Sequence, residues 1–339
     1  MTLRLSVLDQ SPIRKGGTAA DAVRETLELA QLCDRLGYHR YWLAEHHSSQ
    51  ALAGSTPEVL IARVASLTGR MKIGSGGVML PHYSSFKVAE NFRMLETLFP
   101  GRIDVGIGRA PGSDQRTMRV LADGKPKWSD PAEYPLQVRD LVAWLHDALP
   151  DTHSAHGVMA QPAGATAPDV WLLGSSEDSA SLAAYFGLPF CFAHFINPDG
   201  GDGVTRSYIE NFRPSALHPE PKAMMAMGVM CAETDAEADL LSKSRELWAM
   251  RLRTQNEPGP FPPVEEALQA EKDARTRAFM ASMRRRGVTG SSKTVRAGIE
   301  EHAARYGVEE IMLVTISFDF EKRKRSYKLI AEEFGLKRS

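Results

Sequence analysis

Cysteine is scarce in this chain: Cys33, Cys191 and Cys231 are the only three in 339 residues, an odd number and far apart. That excludes a disulfide framework and a zinc cluster of ordinary spacing, and it suits a reducing cytoplasm. No run of about eighteen apolar residues occurs, so no membrane-spanning helix is expected. The opening MTLRLSVLDQSPIRKGG turns polar too soon for a secretory signal. Net charge is nearly absent, with 41 Lys+Arg against 42 Asp+Glu, which argues against a nucleic-acid or polyanion surface. A Walker sequence, H-E-x-x-H and G-x-G-x-x-G are all missing, which disfavours nucleotide hydrolysis, a zinc protease and a Rossmann dehydrogenase. The glycines of Gly106-x-Gly108-x-x-x-Gly112 and Gly74-x-Gly76-Gly77 do not have dinucleotide spacing.

What is present is globular composition, 43% hydrophobic and 24% charged, in a chain long enough to bury a large core. Short apolar runs alternate with amphipathic ones. The runs Leu3 to Leu8, Arg40 to Ala44, Met71 to Ser75, Arg102 to Ile107, Val170 to Leu173, Pro189 to Ala193, Lys222 to Cys231 and Glu310 to Thr315 read as strands. Helices are expected over Ala20 to Leu36, Thr56 to Leu67, Ser84 to Phe99, Pro131 to Ala148, Glu177 to Phe186, Gly200 to Phe212, Ala236 to Arg253, Ser291 to Tyr306 and Glu321 to Phe334. Gly37 suits a C-cap, and Pro57 suits the first position of a helix capped by Thr56. Eight strands, each followed by a helix, imply a parallel sheet and favour one closed (β/α)8 barrel over an open doubly wound sheet. A single domain over 1–339 is expected. Two irregular insertions, Ala110 to Asp130 and Thr254 to Gly290, follow strands and would lie on the C-terminal face. Arg284-Arg285-Arg286 reads as a solvated helix face, and the tryptophans and the Met227–Met230 region read as core.

A barrel places its chemistry at the C-terminal ends of its strands. The residues there are Asp9, Gln10 and Ser11; Glu45, His46 and His47; Gly76 and Gly77; Gly108, Arg109 and Gly112; and Gly174, Ser175 and Ser176. His46 and His47 are adjacent, so in extended chain they point oppositely and make poor co-ligands for one metal. One of them can face a pocket as acid, base or hydrogen-bond donor. Alternatively, both simply cap the strand. Ser175 and Ser176 open a helix whose free N–H groups attract an anion. Plain N-capping explains them too, and Glu177 and Asp178 weaken the phosphate reading. Arg109 matches phosphate oxygens bidentately, or forms a surface ion pair. Gly76 and Gly77 either let a flat ring approach the backbone or mark a bulge.

The segments Leu5-Ser-Val-Leu-Asp-Gln-Ser-Pro12, Tyr41-Trp-Leu-Ala-Glu-His-His47, Gly74-Ser-Gly-Gly-Val-Met-Leu-Pro-His82, Pro100-Gly-Arg-Ile-Asp-Val-Gly-Ile-Gly-Arg-Ala-Pro-Gly-Ser-Asp-Gln-Arg-Thr-Met118 and Trp171-Leu-Leu-Gly-Ser-Ser176 resemble the bacterial luciferase-like flavin monooxygenases, closest to their small single-chain branch. The resemblance is strong from residue 3 to about 200 and weaker beyond. It implies a (β/α)8 barrel with FMN in its mouth, usually in a homodimer. Reduced FMN comes from a separate NAD(P)H:flavin reductase and reacts with O2 to a flavin 4a-hydroperoxide, which oxygenates the substrate. His46 matches the family's catalytic histidine. Arg109, Gly174, Ser175, Ser176 and Ser179 match its FMN-phosphate region. Gly76 and Gly77 match a bulge under the isoalloxazine where the family can have a non-proline cis peptide. Thr254 to Gly290 matches a mobile active-site loop. Gly108 stands where luciferases carry a reactive cysteine, so any role for that thiol is lost and light emission is in doubt. The expected substrate is a small, apolar organic molecule. Two other readings stay open: a deazaflavin-dependent hydride-transfer oxidoreductase, and a non-catalytic flavin-binding protein.

Overall fold

The structure, a computed structural model, describes residues 3–109, 114–122, 132–255 and 259–337. Its strands are β1 (Arg4–Asp9), β2 (Arg40–Leu43), β3 (Lys72–Ser75), β4 (Val78–Met79), β5 (Ile103–Gly108), β6 (Asp169–Gly174), β7 (Phe190–Ala193), β8 (Ala223–Ala232), β9 (Gly287–Ser291) and β10 (Glu310–Val314). Its helices are α1 (Ala19–Leu36), α2 (Pro57–Leu67), α3 (Ser85–Leu98), α4 (Gln115–Leu121), α5 (Glu133–Leu145), α6 (Glu177–Phe186), α7 (Gly201–Glu210), α8 (Asp235–Gln255), α9 (Val264–Ala270), α10 (Ala274–Met283), α11 (Ser292–Tyr306) and α12 (Phe320–Phe334).

Every strand pairing is parallel, and β10 pairs with both β1 and β8. The ring β1-β2-β3-β5-β6-β7-β8-β10 therefore closes into the expected eight-stranded (β/α)8 barrel. The eight ring strands are those read from the sequence, shifted by a residue or two at their ends. Two short strands were not expected. β4 continues the line of β3 against β5, and β9 pairs with the outer half of β8.

Local chemistry explains several boundaries. Thr18 and Asp21 form a reciprocal capping box at the start of α1. Gly37 ends α1 at φ 90°, and a Cβ there would fall 2.5 Å from the carbonyl oxygen of Lys337. The insertion after β8 is structured across its described part. It holds α9, α10, one 3-10 turn and β9. The arginine run is a 3-10 turn rather than part of a longer helix, and none of its side chains is buried, as expected of a solvated face. Arg284 pairs with Asp239, Arg285 pairs with Asp199, and Arg286 is partly buried. Part of the other insertion, 110–113 and 123–131, lies outside the described residues, and 115–121 of it is helical.

The core is divided by the strand period of two. Val7, Leu43, Val105, Leu172, Met225 and Leu313 face the helices, while Leu8, Trp42, Trp171, Met224, Ala226 and Met312 fill the barrel. Trp42 and Trp171 meet edge to face at 5.6 Å, an arrangement favoured by the ring quadrupoles. Glycine makes room for them, since a Cβ on Gly74 would fall 2.9 Å from Trp42 Nε1. Trp42 Nε1 donates to Asp104, whose carboxylate also takes Arg40 at 2.7 Å, and Arg40 reaches Glu310 at 2.8 Å. These groups sit at the N-terminal ends of their strands and plug the barrel floor. The opposite, C-terminal end is left for ligands.

Gly106 is the tightest point of the inner wall, where a Cβ would lie 2.1 Å from the carbonyl oxygen of Ser75. Gly106→Ala is expected to cost about 1–3 kcal/mol or more through overpacking. Urea unfolding checks this, and a wild-type midpoint would contradict the β3–β5 approach.

Candidate functional site

The C-terminal rim gathers residues from β2, β3, β5 and β6. Along β2 the alternation turns Trp42 and Ala44 inward and Leu43 outward. Glu45, His46 and His47 follow directly, with Glu45 buried and both histidines half-buried. The two imidazoles have different surroundings. His47 Nε2 lies 2.7 Å from Glu45 Oε1, which also accepts from the Tyr83 hydroxyl at 2.8 Å. Glu45 Oε2 takes the backbone N–H of Met79 at 3.1 Å. The Glu45 carboxylate is thus fully used in holding β4 and His47 in place. Outside His47 lies a cavity of about 590 Å³ bounded by Glu58, His82, Tyr83 and Lys87. Of the rim candidates only His47 lines it; His46, Gly76, Gly77, Arg109, Gly174, Ser175, Ser176 and Ser179 do not.

His46 is held through its backbone, which donates to the Gly54 carbonyl at 2.7 Å. Its Nδ1 is buried and has no hydrogen-bond partner among the described residues. Burial first, then the neighbouring His47, lowers its pKa to about 4. At neutral pH the ring is uncharged and holds a buried nitrogen ready for a ligand.

Beside β2, the Gly76–Gly77 peptide is cis. The Gly76 N–H donates to the Leu43 carbonyl at 2.8 Å. A Cβ on Gly76 would lie 2.5 Å from Leu8, and one on Gly77 would lie 2.7 Å from the Gly106 carbonyl oxygen. The Gly106 backbone therefore requires glycine at Gly77, whatever sits above it, whereas at Gly76 the closest atom is a terminal methyl of Leu8.

Across the rim, β6 runs through Gly174 into α6. Gly174 is forced by Ser179, whose Oγ would stand 2.3 Å from a Cβ. Ser176 is the N-cap residue, yet its side chain makes no capping hydrogen bond. The first-turn N–H groups of α6 are thus left without side-chain acceptors from the cap. Arg109, just past β5, reaches this helix start and pairs with Asp178 at 3.1 Å, both side chains being exposed. Both sequence readings of Arg109 therefore meet in one place: it forms a surface ion pair, and that pair sits beside Ser175 and Ser176. The structure brings Gly76, Gly77, Arg109, Gly174, Ser175, Ser176 and Ser179 along one arc of the rim, with His46 on the adjoining strand.

The roof comes from distant segments. Phe261 bridges Arg14, and Pro12 bridges Leu52, so the turns after β1 and β2 are tied to the insertion. Sequence reasoning missed the Glu45–Tyr83 pairing and this tie. Its only signal for the first was an acid beside two histidines, and there was none for the second.

The chain matches the luciferase-like monooxygenase family model over residues 3–310, and it belongs to that family. A luciferase-like monooxygenase of Escherichia coli strain K12 is 38% identical, over 97% of this chain and 96% of that protein. An N-acetyl-S-alkylcysteine monooxygenase of Bacillus subtilis strain 168 is 34% identical, over 97% and 98%. Among solved structures, apo-MsnO8 superposes with a TM-score of 0.88 at 37% identity, over 99% and 98% of the two chains. Two more distant structures share the fold. One is the oxygenating constituent of 3,6-diketocamphane monooxygenase from Pseudomonas putida in complex with FMN, with a TM-score of 0.71 at 19% identity, over 98% and 97%. The other is an F420-dependent secondary alcohol dehydrogenase, with a TM-score of 0.67 at 14% identity, over 98% of each chain.

Proposed function

We propose that this chain is an FMN-dependent monooxygenase that uses reduced FMN and O2 to oxygenate a small apolar organic substrate. The observation that carries the reading is the pairing of an uncapped α6 start beside Arg109 with an unpartnered, buried nitrogen on His46. These residues fit the cofactor. An anion such as the FMN phosphate suits the first-turn N–H groups of α6, with Ser175, Ser176 and Ser179 adding hydroxyls and Gly174 letting the chain approach closely. Arg109 would exchange its exposed bond to Asp178 for a doubly charged phosphate. Gly76 and Gly77 present backbone without side chains beside the ring system. His46 donates or accepts a hydrogen bond at the reacting oxygen, neutral at working pH. When bound, reduced FMN supplies the two electrons that split O2 between substrate and water.

A separate NAD(P)H:flavin reductase supplies the reduced cofactor, the protein works as a cytoplasmic homodimer, and the chain is one luciferase-like domain with the 254–290 insertion moving over the site. Both the FMN-bound and the F420-dependent structures share this barrel, so a deazaflavin hydride-transfer enzyme is the second reading.

The deciding experiment mixes protein and anaerobically reduced FMN rapidly with oxygenated buffer. A long-lived absorbance unlike either reduced or oxidised FMN is expected, decaying faster with substrate. Oxidation matching free FMN would overturn the oxygenase reading and turn attention to F420 titration. For Arg109→Ala, loss of a charged hydrogen bond worth roughly 1.5–3 kcal/mol should weaken FMN binding by about ten- to a hundredfold. Fluorescence titration measures it, and an unchanged affinity would remove Arg109 from the phosphate site.

A further inference from the structure

The inner face of β8 carries Met224 and Ala226 into the barrel, and the same alternation turns Gly228 inward at the mouth. The space a Gly228 side chain would occupy is filled by a guanidinium from α8. A Cβ at Gly228 would lie 2.2 Å from Arg245 Nη1 and 3.1 Å from its Cζ. Arg245 lies on the helix face that also carries Ala238, Leu241 and Trp248, spaced three and four residues apart. Ala238 and Leu241 pack on Met230 and Ala232 of β8. Trp248 packs on the barrel-interior cluster and stacks on Phe261 at 4.5 Å. The rest of this face is apolar and inward, so Arg245 is a cation set where a helix normally places a hydrophobe.

No acid touches it: among the described residues Arg245 has no hydrogen bond and no ion pair within 4 Å. Glu246, next in sequence, gives its Oε1 to Ser242 and Arg284 and acts on Arg245 only through space. A second cation, Arg286, adds repulsion. Burial first, then Arg286, lowers the Arg245 pKa to about 10, which still leaves it charged at neutral pH. A cation held by no ion pair makes no bond whose removal would cost the ligand-free fold.

We propose that Arg245 receives the carboxylate of the substrate, an organic acid whose apolar body lies against Trp248, Phe261 and Phe195 at the barrel mouth. This rests on the monooxygenase reading and replaces its uncharged apolar substrate by an organic acid with an apolar body. Arg109 and α6 lie round the rim on β5 and β6, so the cofactor phosphate and the substrate carboxylate have separate cations.

The test titrates the full-length protein, without flavin, with 4-phenylbutanoate and with its neutral amide, followed by tryptophan fluorescence. The acid is expected to bind at least tenfold more tightly than the amide. In Arg245→Met that preference should fall below twofold, while Arg245→Lys keeps it. FMN affinity should be unchanged in both variants, and the ligand-free melting temperature of Arg245→Met should equal or exceed that of the wild type. Equal binding of acid and amide, binding of neither, or a preference that survives Arg245→Met would overturn the proposal. So would a lowered melting temperature, which would give the guanidinium a structural role, or a loss of FMN affinity, which would assign it to the cofactor. Acid binding is read without flavin or O2, so a failed flavin reading leaves this readout intact.

Discussion

His46→Ala should bind FMN as the wild type does and lose oxygenation by roughly 10²–10⁴-fold, the range for removing a positioned proton-transfer group. The ring stands just past β2, and its Nδ1 is buried without a partner among the described residues. Its removal therefore breaks no side-chain hydrogen bond within the described structure. Product formation with reductase-supplied FMN, set against FMN titration, checks both halves. Unchanged turnover would remove the histidine from the chemistry.

The same variant has a stability signature. Folding lowers the His46 pKa from 6.5 to about 4, so the unfolded chain binds more protons across that interval. Stability is full above about 6.5 and falls as pH drops towards about 4. His194, also lowered to about 4 mainly by burial, acts in the same direction. His46→Ala should therefore flatten the acid side of the stability curve without abolishing its slope. Denaturant midpoints at several pH values between those limits measure this. An unchanged slope would mean the ring is solvated in the folded state.

Arg323→Met should cost about 3–5 kcal/mol of folding stability, because it strands a buried carboxylate. Asp9 closes β1 and is fully buried. Its Oδ1 takes Arg323 Nη2 at 2.8 Å and the Ser11 N–H at 2.8 Å, and its Oδ2 takes the Tyr41 hydroxyl. Burial alone would raise the Asp9 pKa, but the Arg323 charge and these hydrogen bonds outweigh it and hold the carboxyl below its usual range. Arg323 Nε also donates to the Thr315 carbonyl at 2.7 Å, so the pair ties α12 to β1 and to the chain after β10. The double variant Asp9→Asn, Arg323→Met should recover part of the loss, since the uncompensated charge is gone. Chemical unfolding of the three variants provides the test. A single variant as stable as the wild type, or a double variant worse than the sum, would show that the pair does not carry this junction.

That junction also shows where sequence reading stops. Asp9 was legible as a polar residue ending a strand. Its partner stands 314 positions away and is an ordinary arginine in an amphipathic helix. The same limit applies at Glu45, whose Tyr83 partner lies beyond β4, and at Arg245, one of several arginines on a charged helix. Short-range pattern carries no information about which of these cations faces inward. The insertion after β8 escaped for a different reason. Its helices are short, and β9 is strand only because β8 runs on past the barrel to pair with it, so propensity had nothing periodic to show.

The sequence by itself determined the ring. Apolar runs of strand length alternating with helical ones leave a parallel, helix-covered sheet as the arrangement that buries both faces of every strand. The glycines and hydroxyl residues at the strand ends marked the rim at which the candidate site lies. Only the tertiary structure decided that Glu45 and Tyr83 engage His47 while His46 keeps a buried nitrogen without a partner among the described residues, that Arg109 reaches the start of α6, and that Arg245 fills the space above Gly228. Those are facts of closure. They depend on strand register and on which helix packs over the mouth, and both emerge only when segments hundreds of residues apart are brought into contact.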